Sequence, residues 1–407
     1  MTRIATAHSY ETTIATLQKR QNDLSQQQER ISTGKRVLRA SDDPVAAVMA
    51  EAARNRQERA AFDQRSIEAS RTSLSQVESA LGDATELIQQ VRELFIAAGN
   101  ATYTPREHKD LAQQIEGLRD ELLAVANRTD TSGRTLFGGL GGSSLPFVEV
   151  QGPSGGGVQF QGQRGQEAAT SSSLPQSMDG HAVFMRVPQG NGVFDPSLPA
   201  TNTGSVRTDI GEVTDPAALT GNDYAISFAD VGGGVIEYTV TNVTTGTPVP
   251  GQVNQPYQSG MQIGFDGMAV QVSGMPANGD SVDLTAVTAS TDIFQVMQDA
   301  IDALRTSDTT TSAALTQSVG NATSELDAGL DRIMQARSAA GAWLNRADST
   351  DMLLSDRQAA LEGEISNLED VDLVEAISDF QNQQVGLQAA LQSYAQVQRL
   401  SLFQYIG

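Results

Sequence analysis

The sequence predicts an α+β multidomain chain: a long antiparallel helical-bundle rod, paired N- and C-terminal coiled-coil helices, and an inserted antiparallel β-domain. Three observations carry this. The two halves of the chain read as near mirror images, with a helix, a break, a long helix and a further helix on one side and the reverse order on the other. The stretch between them, from Gly138 to about Thr288, is rich in Gly, Ser, Thr and Pro and alternates apolar and polar residues with period two. Both terminal helices also carry apolar stripes towards the chain ends, where ordinary termini are polar and fray. A chain that runs out and returns as a rod accounts for the order, with the insert at one tip and both termini at the other.

The first helix is predicted over Arg3 to Ser32. Ile14, Leu17, Leu24 and Ile31 fall on a seven-residue frame with Gln21 and Gln28 in the intervening slots, so all six are expected on one seam. Gly34 is a good C-terminal cap. The break that follows contains Gly34, Lys35, Arg36, Asp42, Asp43 and Pro44. Asp43 can accept from free amides and Pro44 fits a first helical turn, so a second helix starts there. It runs to about Ala98, and at ~1.5 Å per residue it is about 80 Å long. Leu74, Val77, Leu81, Ala84, Ile88, Val91, Phe95 and Ala98 step by three and four along its second half. Thr104-Pro105-Arg106-Glu107 is a capping box that opens a third helix, seamed by Leu111, Ile115, Leu118, Leu122 and Val125.

Within the insert, Val158–Phe160, Tyr224–Phe228, Val235–Val240 and Met268–Val272 read as strands. Gly232-Gly233-Gly234 and Asn278-Gly279-Asp280 read as turns between them. Helical pattern returns near Asp292, with Ile293, Met297, Ala300 and Leu304. A second long helix follows over Ser312 to Leu368, seamed by Leu330, Ile333, Ala340, Leu344, Ala347, Leu354, Leu361, Ile365 and Leu368, with Arg337, Asp351 and Gln358 in seam slots. The step from Leu326 to Leu330 departs from the alternation and predicts a local change in supercoil. After a second break at Asn367–Asp372 the last helix carries Ile377, Phe380, Leu387, Leu391 and Tyr394, with Gln384 and Gln398 interleaved.

Charge adds to this picture. The formal charge is −22 over 407 residues, which argues against nucleic acid and anionic membranes as partners. Residues 1–40 carry seven Arg/Lys against three Asp/Glu, whereas residues 361–407 carry one Arg against seven Asp/Glu. Opposite charge on two apolar-striped ends suits pairing between them. There are no cysteines, so thiol catalysis, thiolate metal sites and disulfides are excluded. No window approaches the ~20 apolar residues of a membrane span. The opening residues lack the apolar core of a cleaved secretory signal, so the chain is expected either to stay in the cytosol or to leave the cell by another route.

Nothing in the sequence points to an enzyme or a cofactor. His8, His108 and His181 lie in three separate segments without metal-ligand spacing, and His108 is expected on a solvated helix face. Asp42-Asp43 reads as capping beside Pro44 rather than as a carboxylate pair. Gly232-Gly233-Gly234 lacks the helix that a phosphate loop requires. The twelve acidic residues of 151–290 match no calcium-binding repeat. Trp343 is expected in the core or at an interface.

At Ile31–Ala47, ISTGKRVLRASDDPVAA, the chain resembles the N-terminal element of the flagellin superfamily. Ala336–Arg346 resembles the returning core helix of that family, and Ile365–Ala376 its acidic break before the terminal helix. Arg134–Gly139, RTLFGG, is similar to the turn after its third helix, in the form that marks the branch joining hook to filament. The ending from Leu387 to Ile406 and the segments Ala182–Phe194 and Gly264–Leu284 also resemble that branch. A flagellin, the bulk filament subunit, is the alternative reading.

The resemblance implies a structural adaptor of the bacterial flagellar hook–filament junction with no catalysis and no cofactor. It implies self-assembly with identical subunits through the terminal helices, hook-associated protein 1 and flagellin as neighbours, a flagellar export chaperone, and a location outside the cell reached without a cleaved signal. The expected domains are 1–43 with 366–407 (terminal coiled coil, disordered in the monomer), 44–140 with 290–365 (rod) and 141–289 (β-rich insert). The expected assembly interface is Ile14, Leu17, Leu24, Ile31, Ile377, Phe380, Leu387, Leu391 and Tyr394.

Overall fold

The structure is a computed structural model that describes residues 2–100, 102–141, 144–152, 155–170, 173–307 and 312–406. Side chains are described for 11–100, 102–141, 144–150, 157–170, 173–307 and 313–396. The helices are α1 (Thr2–Thr33), α2 (Pro44–Ala98), α3 (Pro105–Ala126), α4 (Gly180–Phe184), α5 (Ile293–Thr306), α6 (Ser312–Glu369) and α7 (Leu373–Ile406). The chain forms two units, Met1–Ser66 with Thr350–Gly407, and Ile67–Ser349. The second unit holds two hydrophobic cores.

The first core is helical. Leu74, Val77, Leu81, Ala84, Ile88, Val91, Phe95 and Ala98 of α2 are all buried, each large side chain contributing ~1.5–3 kcal/mol relative to exposure. Ile115, Leu122 and Val125 of α3 join them, as do Ile293, Phe294, Met297, Ala300, Ile301 and Leu304 of α5 and Leu326, Ile333 and Ala340 of α6. The capping box of α3 forms as its spacing demands: Thr104 N donates to Glu107 Oε2 at 2.7 Å, and Glu107 N donates back to Thr104 Oγ1 at 3.4 Å. On α6 the expected supercoil change at Leu330 is not what the packing shows. The buried slot is Gly329, so the three-four alternation runs unbroken through Leu326, Gly329 and Ile333. A Cβ at 329 would lie 2.9 Å from Ile293 Cδ1, so glycine is what lets α5 approach there.

His108 is another correction. It is 7% exposed, not solvated. Its Nδ1 lies 3.2 Å from Ser307 Oγ, which itself donates to Leu304 O at 2.8 Å and caps α5. Spacing on α3 placed His108 beside the exposed Lys109, but the α5 C-terminus folds over it. Trp343 is half-buried against the helical core.

The turn after α3 extends this core. Phe137 packs on Phe184 at 5.2 Å between ring centroids, Phe147 on Phe184 at 5.5 Å, and Phe147 on Phe294 at 6.0 Å. Asn127, the α3 C-cap, exchanges two hydrogen bonds with the Phe147 main chain, at 2.8 and 2.9 Å. That fixes the first hairpin, β1 (Phe147–Gly152) and β2 (Gly155–Phe160). Short strands β3 (Val187–Pro188) and β4 (Phe194–Ser197) lead into the second core.

The remaining strands are β5 (Arg207–Thr208), β6 (Glu212–Val213), β7 (Tyr224–Asp230), β8 (Ile236–Asn242), β9 (Thr247–Pro248), β10 (Gln255–Pro256), β11 (Met261–Phe265), β12 (Met268–Ser273), β13 (Ser281–Ala286) and β14 (Ser290–Thr291). All pair antiparallel. One sheet runs β10-β8-β7-β13-β4 with β9 also on β8; another joins β11 to β12, with β5 and β6 also on β12; β14 pairs β3. Between the two larger sheets lie Tyr224, Ile226, Val240, Ile263, Val270, Val272 and Val282. Alternation delivers this directly, since Tyr224, Ile226 and Phe228 share the inner face of β7.

The insert is fastened to α6 by a ladder of side chains four residues apart. Gln317 Oε1 accepts from Thr208 N at 2.8 Å, Asn321 Nδ2 donates to Pro196 O at 2.8 Å, and Glu325 Oε1 accepts from Gly190 N at 3.1 Å. Gln317 Nε2 also donates to Asn321 Oδ1 at 2.8 Å. A spacing of four places the three on one face of the helix.

Candidate functional site: the paired ends and their break

The site lies within the first unit. Helices α1 and α7 pair antiparallel, with Arg20 Nη1 donating to Gly386 O at 3.0 Å and Gln27 Nε2 donating to Ala376 O at 3.2 Å. Leu17, Leu24 and Ile31 of α1 are half-buried, as are Ile14, Phe380, Leu387 and Tyr394. Ile377 and Leu391 are not in the seam: they are 45% and 50% exposed. Their slots are taken by Ala376 and Ala390, with Gln383 between.

The same offset occurs on α1. Gln21 and Gln28 are exposed and Gln27 is the inward glutamine; on α7, Gln384 is exposed and Gln383 faces in. The side chain of Gln398 lies outside the described residues. The physical reason is the two-flanked nature of a heptad. Phe380, Leu387 and Tyr394 can be joined either by the residues three before them, 377, 384 and 391, or by those four before, 376, 383 and 390. Counting apolar residues selects the first set, because Ile and Leu outrank Ala and Gln. The helix pair uses the second, and small Ala376 and Ala390 let the backbones approach.

What this leaves uncovered is a second apolar flank. Leu373, Val374, Ile377, Val385 and Leu391 of α7 are exposed, Val374 by 81%. At the start of α2, Val45, Val48 and Met49 are exposed, and further along Phe62 is too. Exposed apolar side chains grouped on helices in this way mark contact surfaces.

The break is built around one buried carboxylate. Arg36 N donates to Glu369 O at 2.6 Å, Val37 N to the same oxygen at 3.3 Å, and Val371 N to Gly34 O at 3.0 Å, so Lys35 and Asp370 form an antiparallel bridge. Gly34 makes this reversal at φ +71°, the left-handed region that suits glycine. The Glu369 side chain is 6% exposed; Lys35 Nζ lies 3.1 Å from its Oε2, and Arg54 Nη2 pairs with the same oxygen. Arg36 Nη2 caps α6 by donating to Leu368 O at 2.7 Å, and its Nη1 lies 3.4 Å from Asp43 Oδ2.

Of the two aspartates only Asp43 caps a helix; Asp42 instead closes the turn before it. Asp42 Oδ2 accepts from Arg39 N at 3.0 Å and Leu38 N at 3.1 Å, and these amides hold its carboxyl below the usual range. Asp43 Oδ1 accepts from Ala46 N at 3.0 Å, an N-cap bond that likewise lowers its pKa, with Pro44 in the first turn. Asp372 Oδ1 accepts from Val374 N at 2.9 Å at the start of α7. Beyond the break, Ala46, Ala50, Ala53 and Ala60 of α2 are buried, as are Leu354 and Leu361 of α6. Gln64 forms a polar layer here, donating to Asp351 Oδ1 and accepting from Gln358 Nε2, both at 2.9 Å.

Sequence reasoning missed Glu369, Arg54, Gln27 and Gln383. The available signal for Glu369 was the adjacent pair Lys35-Arg36 facing an acidic second break. Among the described residues no group of acidic or histidine side chains is placed to hold a metal ion, and no helix is long and apolar enough to cross a membrane. The arrangement is one of contact and capping.

Residues 4–141 match the bacterial flagellin N-terminal helical region, and residues 323–406 match the bacterial flagellin C-terminal helical region. The chain belongs to the flagellin superfamily. The flagellin N-terminal match contains α1, the first break, α2 and α3; the C-terminal match contains most of α6 and α7. Between the two flagellin regions lies the insert, and similarity extends across it. Flagellar hook-associated protein 3 of Escherichia coli is 27% identical over 413 residues, covering 99% of both chains. The structure of flagellar hook-associated protein-3 from Legionella pneumophila superposes with a TM-score of 0.71 at 28% identity, covering 78% of this chain and 98% of that one. The flagellar junction protein FlgL of Legionella pneumophila gives 0.67 at 29% identity, covering 74% and 99%.

Proposed function

We propose that the chain is a structural adaptor of the hook–filament junction of the bacterial flagellum, acting by assembly and without catalysis. The observation that carries this is full-length similarity to hook-associated protein 3, insert included. Supporting it is a pair of terminal helices with one apolar flank spent on each other and another left exposed. Two helices of ~30 residues bury too little between them to be strongly ordered alone, so ordering is coupled to contact with neighbours. Subunits related by a rotation and a rise make contacts that extend around a ring or helix.

In this reading the assembling surface comprises Ile14, Leu17, Leu24, Ile31, Phe380, Leu387 and Tyr394 at the pair and Ile377 and Leu391 on its free flank. The break from Gly34 to Pro44 sets the angle at which α1 leaves α2. The functional parts are 1–43 with 366–407, 44–140 with 290–365, and 141–289. The neighbours are identical copies, hook-associated protein 1 on the hook side and flagellin on the other. An export chaperone accompanies the chain before it leaves the cell.

The test is a chain lacking residues 1–35, added to hooks in the presence of flagellin. Failure to cap the hook and to support filament growth is expected; normal growth would sink the role given to the ends. Long filaments formed by the purified full chain alone would favour a bulk filament subunit instead.

A further inference from the structure

The lower end of the ladder on α6 differs chemically from the rest. Gln317 and Asn321 are neutral, but Glu325 is a half-buried carboxylate that accepts from Gly190 N at 3.1 Å. Gly190 is fixed in place: its φ is +53°, and a Cβ there would lie 2.3 Å from Phe194 O. The same Cβ would lie 3.0 Å from Asp195 Cβ, so the residue whose amide holds Glu325 sits directly beside Asp195. Asp195 follows on β4. Its Oδ1 is buried and has no hydrogen-bond partner.

The groups facing Glu325 can be named element by element. Asp195 approaches from β4 and Asp299 from α5, both negative. Gly190 N approaches from the turn. Along α6, Asn321 is committed to Pro196, and Asp327 is neutralised by Arg92 of α2 at 2.6 Å. Arg186, before β3, is exposed and its charge falls on His181. Among the described residues no cation pairs with Asp195 or Glu325. Burial pushes Glu325 up to about 7 against the pull of the Gly190 amide, and the charges of Asp195 and Asp299 push the same way. Burial raises Asp195 as well.

Asp195 and Glu325 are thus two half-buried carboxylates on either side of Gly190, with no cation between them, and they cannot both ionise cheaply; the buried Asp195 oxygen without a partner adds to that cost unless a proton reaches it. We propose that Asp195 and Glu325 form a proton-dependent latch between the β-insert and α6. With one proton held between them the insert is gripped; when that proton leaves, the two charges repel and the grip weakens. The sign follows from linkage. A carboxyl raised above its ordinary value favours the docked state fully below that ordinary value, and the contribution is lost as pH rises through the docked value. For Glu325 that window runs from about 4.5 to about 7. The insert is therefore held tighter in mildly acidic surroundings than in alkaline ones, independently of how the ends assemble.

Hydrogen exchange of the 187–197 main chain in the full-length protein, corrected for intrinsic exchange, reads this directly. Protection at pH 5.5 is expected to exceed that at pH 8.5 by about tenfold, the equivalent of one pKa unit of coupling. Glu325→Gln should hold high protection at both values, and so should Asp195→Asn, each removing one of the two charges. If one variant fails to fold, the other carries the comparison. Wild-type protection that is the same at both pH values, or variants that retain the wild-type dependence, would overturn the latch.

Discussion

Arg20 Nη1 meets the carbonyl oxygen of Gly386 at 3.0 Å, and a Cβ at position 386 would lie 2.9 Å from that same guanidinium nitrogen. Arg20 of α1 thus meets α7 at a glycine in mid-helix, a residue with little preference to be helical. Glycine costs ~1 kcal/mol relative to alanine in a helix interior. Arg20 is exposed and flexible, so it can move aside. Gly386→Ala is expected to raise the helicity of the terminal pair and slow its proteolysis in the monomer, measured by far-ultraviolet circular dichroism and timed digestion. Unchanged digestion of the 373–406 region would contradict this.

The second prediction concerns Ile377 and Leu391. They are exposed, so Ile377→Asp and Leu391→Asp should change monomer stability by no more than ~0.5 kcal/mol. Leu387→Ala, in the seam, should loosen the pair. If the free flank is the surface that meets neighbours, the two aspartate variants should nonetheless fail to assemble on hooks. Thermal melts and a hook-binding assay separate the effects.

Glu369 gives the third. Its carboxylate is buried under Lys35 and Arg54. Glu369→Ala deletes both contacts and leaves two cations that can turn to water, so a cost of about 1–3 kcal/mol is expected. The local reporter is protease cleavage between Gly34 and Asp43, which should accelerate. Glu369→Gln should fall between wild type and alanine.

Gly139 gives the fourth. It sits at φ +71°, and a Cβ there would lie 2.0 Å from Gln163 O. Backbone cannot yield as a side-chain tip can. Gly139→Ala should cost about 1–3 kcal/mol from overpacking alone, with left-handed strain added. Denaturant titration of the full chain measures it; a variant within 0.5 kcal/mol of wild type, itself a rough threshold for neutral changes, would contradict the close approach.

The fifth is an acid limb. Asp130 is buried, which by itself would raise its pKa. The Ser132 side chain, the Arg134 and Ser132 amides and the Arg134 charge outweigh burial and bring it down to about 2. A depressed carboxyl contributes stability above its ordinary value near 3.8 that is lost as pH falls towards 2. Asp130→Asn should therefore flatten the loss of stability between those values. Acid titration followed by melting temperature checks it.

Most of the helical scaffold could be read from the chain because its signals are local. Thr104 with Glu107, Asp43 with Pro44, and Gly34 each mark a helix end within four residues. The buried face of α2 from Leu74 to Ala98 follows from steps of three and four. Strand alternation exposed β7 and β12 for the same reason. What escaped was decided by distant partners. The choice of Ala376 over Ile377 depends on how closely α1 approaches α7, which the residues of α7 by themselves do not encode. Gly329 looked like a lapse in the seam because a glycine adds no hydrophobic signal, yet Ile293 fills its place. His108 looked solvated because the α5 terminus that covers it lies 199 residues away. Glu325 and Asp195 belong to segments that no local pattern relates.

The ladder on α6 grips the insert by main-chain groups: Thr208 N, Pro196 O and Gly190 N. Attachment is thus indifferent to most of the side chains the insert carries elsewhere. The tip between β7 and β8 is the clearest case. Gly232, Gly233 and Gly234 have nothing within 4 Å of where a Cβ would stand, and all three adopt positive φ. A foreign peptide spliced between Asp230 and Ile236 would extend an existing hairpin and touch neither the sheet core nor the socket. The protein is in this sense a display scaffold, with the cargo site and the mounting bracket on separate parts of the same insert.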